Sequence, residues 1–213
     1  MVAGATGLVG QAVLALLLAD KTYQRVYCVG RRAPLQQHPK LVVHTTADFN
    51  SWLCPEPADV FIALGTTIAA AGSRDAFRAI DLTAVVAVAR STRAAGANRL
   101  GVVSAMGADP ESRVFYNRVK GEMEAGISAL GFDRLVIARP SLLAGDRAAL
   151  HQAPRGAEKL SMAVMQRVNP LLPPNWQSIT ASEVAQALVT TVQTTSIGRT
   201  VLQSGELKRL AQH

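Results

Sequence analysis

The sequence predicts an α/β protein: a three-layer, Rossmann-type, doubly wound parallel sheet with a small C-terminal substrate-side extension. Three observations carry that prediction. Short apolar, β-branched runs alternate with helical stretches through roughly the first two-thirds of the 213 residues. A glycine turn over residues 4–10 sits between the first such run and the first helix. Strand–helix–strand repetition at this spacing requires right-handed crossovers and parallel pairing.

Taken in order, the strand candidates are Met1–Ala3, Arg25–Val29, Leu41–His44, Asp59–Leu64, Arg99–Ser104 and Arg134–Ala138, with a last one near Thr200–Gln203. Helices are expected at Leu8–Leu18, Asp75–Ala95 and Ser112–Leu130. Gly96 and Gly131 follow two of them, where a left-handed cap ends a helix. After Pro140 the character changes: Gly145, Pro154, Gly156, Pro170, Pro173 and Pro174 interrupt shorter helices at Ala157–Val168 and Ser182–Gln193, and a terminal helical turn closes the chain. Residues 140–213 are expected to cover the mouth of a site within one domain spanning residues 1–213. The first strand is unusual. The glycine turn begins at residue 4, so a strand that normally lies mid-sheet has almost no length. Either the natural start lies upstream of Met1 or a three-residue stub suffices.

Composition narrows the function classes. The chain is 49% apolar and 17% charged, in the range of globular proteins. Its 22 basic and 15 acidic residues leave a net charge of +7, which favours anionic partners or is simply a basic solvated surface. No zinc finger, helix-turn-helix or aromatic-rich basic platform accompanies that charge, so nucleic acid is not expected as a partner. Cys28 and Cys54 form no C-x-x-C pair, and a reducing cytoplasm is the expected compartment. His38, His44, His151 and His213 lack metal-ligand spacing, so no metal site is expected. The apolar run Ala12–Ala19 lacks a basic leader and a cleavage site and is too short to span a bilayer; it reads as the helix after the glycine turn, and no membrane association is expected.

The chemistry lies in two places. The first is Gly4-Ala5-Thr6-Gly7-Leu8-Val9-Gly10, with glycines spaced three and three. One glycine turns the chain, one admits backbone to a pyrophosphate, and one lets helix and strand pack closely. The helix starting near Leu8 then aims its N–H groups and positive dipole end at the phosphates. Gly30-Arg31-Arg32 follows the second strand, where proteins specific for NAD place an acidic residue. Two guanidinium groups suit a 2′-phosphate instead, so NADP(H) is expected in preference to NAD(H). Asp48-Phe49 could cap an adenine edge, and Leu64-Gly65-Thr66-Thr67 could let backbone run beside the cofactor.

The second place is Tyr116-Asn117-Arg118-Val119-Lys120. Residues four apart share a helical face, and a neighbouring ammonium favours the phenolate, drawing a tyrosine down from ~10 toward the working range. Such a group exchanges a proton with a carbonyl or alcohol oxygen. Ser104, ending the fifth strand candidate twelve residues earlier, is placed to hydrogen-bond the same oxygen.

With these residues in place, the chain resembles the atypical branch of the short-chain dehydrogenase/reductase superfamily, and most closely the Tat-interacting-protein-like oxidoreductases and their bacterial relatives. The resemblance rests on GATGLVG (4–10), VGRR (29–32), ALGTT (63–67), VSAMGAD (103–109), FYNRVKGEMEA (115–125) and IARPSLL (137–143), and is least distinct over 144–180. It implies that the glycine loop and the arginine pair hold NADPH, that Ser104, Tyr116 and Lys120 are catalytic, and that Lys120 also touches the nicotinamide ribose. It also implies that Arg139-Pro140-Ser141-Leu142-Leu143 lines the nicotinamide. Many members carry an asparagine in a proton relay where this chain reads Ile80-Asp81-Leu82.

The expected activity is reduction of a small carbonyl compound, or oxidation of the alcohol, by a monomer or homodimer. The modest C-terminal part argues against a sugar-nucleotide epimerase. The alternative is a regulatory or scaffolding protein that holds NADP(H) with slow turnover or none, since a fold does not by itself fix a function.

Overall fold

The computed structural model describes residues 1–46, 48–49, 55, 57–144 and 173–212. Its centre is a seven-stranded parallel sheet built from β1 (Val2–Ala3), β2 (Val26–Gly30), β3 (Leu41–Thr45), β4 (Asp59–Ile62), β5 (Arg99–Val103), β6 (Arg134–Arg139) and β9 (Gly198–Gln203), in the order β3-β2-β1-β4-β5-β6-β9. The chain reverses direction across the sheet between β1 and β4. That is the topological switch point, where open α/β sheets bind ligands beyond their strand ends.

The stub suffices. Val2 and Ala3 pair with Cys28 and Val29 on one side and with Phe61 and Ile62 on the other. The Met1 ammonium adds a hydrogen bond to the Asp59 carbonyl at 2.6 Å. Val2 and Ala3 are fully buried and face opposite ways, into the two cores.

Strict alternation along the strands supplies both cores, as a sheet covered on both faces demands. Phe61, Val136 and Leu202 point toward α1 (Leu8–Ala19), α6 (Ala181–Thr194) and α7 (Ser204–Leu210), where they meet Leu14, Leu17, Leu188 and Leu207. Val60, Ile62, Leu100 and Ile137 point the other way, toward Val88 of α4 (Val85–Ala94) and toward Met123 and Ile127 of α5 (Phe115–Ser128). Gly96 and Gly131 take φ of +94° and +70°, the left-handed caps expected of them.

Three differences from the sequence reading have physical causes. The helix expected at Asp75–Ala95 is α3 (Arg74–Arg78) and α4 joined by a π-helical segment over Ala79–Ala84, which periodicity cannot register. A further short helix, α2 (Ile68–Ala71), precedes it, capped by Thr67 accepting from Ala70 N–H and ended at Gly72 with φ +85°. The helix expected from Ser112 starts at Phe115, because the Asp109 carboxylate and carbonyl bind the N–H groups of Glu111 and Ser112 in a turn.

Of the C-terminal third, α6 and β9 extend the helical layer and the sheet, while Leu143–Ala144 (β7) pairs with Ile179–Thr180 (β8) in a small parallel ribbon. The helix expected at Ala157–Val168, together with Gly145, Pro154, Gly156, Pro170 and Cys54, lies outside the described residues. Among the described residues no helix is long and apolar enough to cross a membrane, and no cluster of three or more His, Cys, Asp or Glu side chains could hold a metal ion.

Candidate active site

The glycine turn places its three glycines differently. Gly4 has φ +87°, and a Cβ there would lie 2.5 Å from the Ala63 carbonyl oxygen, so this position both turns the chain and lets β4's exit pass. A Cβ on Gly10 would lie 2.0 Å from the Gly4 carbonyl oxygen, so Gly10 serves the packing of α1 against the turn. A Cβ on Gly7 would meet protein no nearer than 3.5 Å. That is ordinary van der Waals contact, which the protein's own packing tolerates. Gly7 is also the N-cap of α1, with no side-chain cap on the helix's first N–H groups.

Two clefts meet at this point, at the C-terminal ends of the strands. The first, about 360 Å³, runs from Gly4, Thr6 and Gly7 past Arg31 and Arg32 to His44 and Phe49. The second, about 700 Å³, contains Leu8, Val9, Thr66, Thr67, Ser104, Tyr116 and Lys120, and is closed along one side by Pro140, Ser141 and Leu142. Gly7, Ala63, Leu64 and Gly65 line both, so the two clefts adjoin across the switch point and together make up a trough. Gly10, Asp48 and Arg139 do not line it. Asp48 sits beside the trough in a turn with Thr46, whose hydroxyl accepts from its N–H at 3.1 Å.

Helix α5 brings in the second half of the chemistry. It docks tightly because residue 121 is glycine: a Cβ there would lie 2.2 Å from the backbone of Asp109 and Pro110. Tyr116 stacks obliquely on the buried Phe77 ring, with centroids 5.4 Å apart and planes at 35°. Lys120, one turn on, is 4% exposed, and its Nζ lies 2.6 Å from Oδ1 of Asp81, which is fully buried in the π-helical segment. The other carboxylate oxygen of Asp81 accepts from Thr66 N–H at 2.9 Å. Burial pushes the Asp81 carboxyl above the usual aspartate value, opposed by the Lys120 charge and by the bonds from Lys120 and Thr66.

Glu124, a further turn along the same face, is 2% exposed and fully engaged. Arg139 donates to it through Nε at 2.9 Å and Nη2 at 2.7 Å, and Arg199 approaches at 3.4 Å. The Arg139 guanidinium is held above its ordinary value by that bond. Ser104 Oγ donates to Glu124 Oε1 at 2.5 Å. Two expected roles change accordingly. The Arg139 side chain belongs to this buried cluster and not to the lining of the trough, and the single proton of Ser104 is directed to Glu124, leaving a lone pair for any other partner.

Sequence reasoning passed over Asp81 and Glu124. Glu124 had a signal, since 116, 120 and 124 share one helical face. Asp81 had none beyond standing where an asparagine was sought, because the π-helical turn that points it inward leaves no periodic trace.

No family model matches the chain. Curated relatives do. Over 155 residues it is 35% identical to "Protein FMP52, mitochondrial" of Eremothecium gossypii, the match covering 71% of this chain and 69% of that protein. Over 152 residues it is 38% identical to "Protein FMP52-1, mitochondrial" of Scheffersomyces stipitis, covering 68% and 67%. It is also 38% identical to the fmp52 protein of Emericella nidulans, of whose length the match spans 66%. These names overturn the cytoplasmic expectation: a sequence without a disulfide framework points to reducing conditions, and such conditions do not specify an address. Among solved structures, a short-chain dehydrogenase family protein from Francisella tularensis superposes with a TM-score of 0.72 at 14% identity, covering 96% of both chains. Human epimerase family protein SDR39U1 with NADPH gives 0.61 at 15%, covering 94% of this chain and 72% of that one. MoeE5 with UDP-glucuronic acid and NAD gives 0.69 at 18%, covering 94% and 74%. At these identities the likeness establishes the fold, which is that of the short-chain dehydrogenase/reductases.

Proposed function

The chain belongs to the Fmp52 family, and from that premise we propose that it is an NADP(H)-dependent oxidoreductase that reduces an uncharged carbonyl compound at Tyr116. The finer likeness to Tat-interacting-protein-like oxidoreductases is part of this reading. The observation that carries it is the pair of adjoining clefts, with Arg31 and Arg32 in one, Tyr116 and Lys120 in the other, and Gly7 lining both.

The residues present fit a dinucleotide. Gly7 keeps its surface in the cleft free of a side chain, and the uncapped N-terminus of α1 lies there with N–H donors for a pyrophosphate. Arg31 and Arg32 supply the guanidinium forks a 2′-phosphate needs, and Phe49 supplies an apolar face for adenine. Leu64 to Thr67 and Pro140 to Leu142 form the walls on the nicotinamide side. Two solved structures of this fold contain NADPH or NAD.

Bound NADPH would supply a hydride to the carbonyl carbon. As the C=O π bond opens, Tyr116 gives its phenolic proton to the oxygen, and solvent later restores it. Lys120 supports the phenolate so formed. Ser104 holds the substrate oxygen only if its hydroxyl turns away from Glu124. At the mouth, Leu8, Ile68 and Leu142 are 48%, 36% and 42% exposed, and the charges of Asp81 and Lys120 offset each other, which suits a substrate without formal charge.

The engagement of Ser104 with Glu124 is the observation that favours the second reading, a protein that holds NADP(H) with little turnover. The experiment is NADPH oxidation against a panel of aldehydes and ketones, with wild type and Tyr116→Phe. The reductase reading expects turnover that falls about 100-fold or more in the variant while NADPH still raises the melting temperature. Equal rates in the two proteins would refute it.

A further inference from the structure

We infer that Asp81 is a positioning residue that keeps Lys120 in its ammonium form beside Tyr116, so that the ionisation of the phenol is set by an Asp81–Lys120 pair and not by Lys120 alone. The inference deepens the reductase reading and rests on it for its catalytic consequence; the ionisation itself does not.

Four observations converge on it. Both partners are almost wholly inaccessible, at 0% and 4% exposure, and they meet at 2.6 Å. The π-helical segment Ala79–Ala84 spends an irregular turn to bring this one carboxylate inward; such bulges are frequent at functional sites. The backbone of the trough closes around it: Thr66 N–H fixes the second oxygen, and a Cβ on Gly65 would lie 3.4 Å from Oδ1 and 3.8 Å from Lys120 Nζ. Finally, the pair borders the cleft that contains Tyr116.

The other charges packed around Tyr116 and Lys120 have partners of their own. Arg74 and Arg118 lie over the Phe115 ring at 5.1 and 5.8 Å. Arg78 of α3 pairs with Glu122 at 2.5 Å, and Glu124 is held by Arg139 and Arg199. Asp109 uses its carboxylate on the Glu111 N–H. Among the described residues, Asp81 is therefore the carboxylate that offsets the burial of Lys120. A buried ammonium stripped of such a partner gives up its proton more readily than it remains charged. Once neutral, it no longer favours a phenolate one turn away.

The test is an alkaline titration of tyrosinate absorbance in the near ultraviolet, with the Tyr116 transition identified as the one missing from Tyr116→Phe. In Asp81→Asn the transition moves to higher pH by about one unit or more. In Asp81→Asn/Lys120→Arg, where the cation cannot be lost, it moves to or below the wild-type position. A transition unmoved or lowered in Asp81→Asn overturns the inference. If that variant does not fold by circular dichroism, Asp81→Ser, which also removes the carboxylate, is read in the same way, and an unmoved or lowered transition there overturns the inference. Because the titration uses neither cofactor nor substrate, a protein that reduces no carbonyl can still pass it. Conversely, an active reductase with an unmoved transition fails it alone.

Discussion

Helix α5 carries two buried ion pairs one turn apart, and they are built on opposite principles. At Glu124 the carboxylate accepts from Ser104, twice from Arg139 and more distantly from Arg199, so its desolvation is offset by a planar fork and a hydroxyl. At Asp81 the partners are one ammonium and one backbone N–H, and the carboxyl is pushed up by burial. The first cluster ties β5, α5, β6 and β9 together behind the trough. The second borders the trough and holds the lysine beside the candidate acid. A saturated pair fixes geometry, whereas a sparsely bonded one leaves a side chain whose charge responds to its surroundings.

The largest break in this comparison is Glu124→Ala. It leaves the partly buried Arg139 guanidinium and the buried Ser104 hydroxyl without their partner, and it should cost about 3 kcal/mol in urea unfolding. A loss below about 1 kcal/mol would mean that the cluster is solvated and carries no structural weight.

Next comes a double-mutant cycle on the other pair. Lys120→Met should cost about 3 kcal/mol by leaving Asp81 unpaired, and Asp81→Asn/Lys120→Met should return to within about 1 kcal/mol of wild type. Additive losses would show that the two side chains do not act as a pair.

The smallest effect is in pH. The folded value of Asp81 lies above its unfolded 3.8, so its contribution to stability is fully present below 3.8 and is lost as pH rises through the folded value. The stability of Asp81→Asn relative to wild type should therefore improve as pH climbs through that window. Equilibrium unfolding at a series of acidic to neutral pH values reads it, and a difference that worsens with pH would contradict the assignment.

Much of this was legible in the sequence, for identifiable reasons. The alternation of Val60, Phe61 and Ile62 between the two cores is a period-two pattern, and the left-handed φ of Gly96 and Gly131 is written in residue type. The glycine turn and the 116–120 spacing placed both ends of the trough. What the sequence concealed was side-chain commitment. Arg139 and Ser104 both sit at strand ends, and strand-end geometry does not reveal that Glu124 of α5 bonds to both side chains. Asp81 was invisible for a related reason: a π-helical turn rotates it inward against the helical period.

The claim on which the proposed function depends is that one NADPH lies along the trough, across Gly7. A crystal structure of the NADPH complex tests it most directly. The account predicts the 2′-phosphate against Arg31 or Arg32, the pyrophosphate at the start of α1, and the hydride-bearing face of the nicotinamide turned to the space beside the Tyr116 hydroxyl. A cofactor whose nicotinamide lies away from Tyr116, or a 2′-phosphate that neither arginine touches, would contradict it.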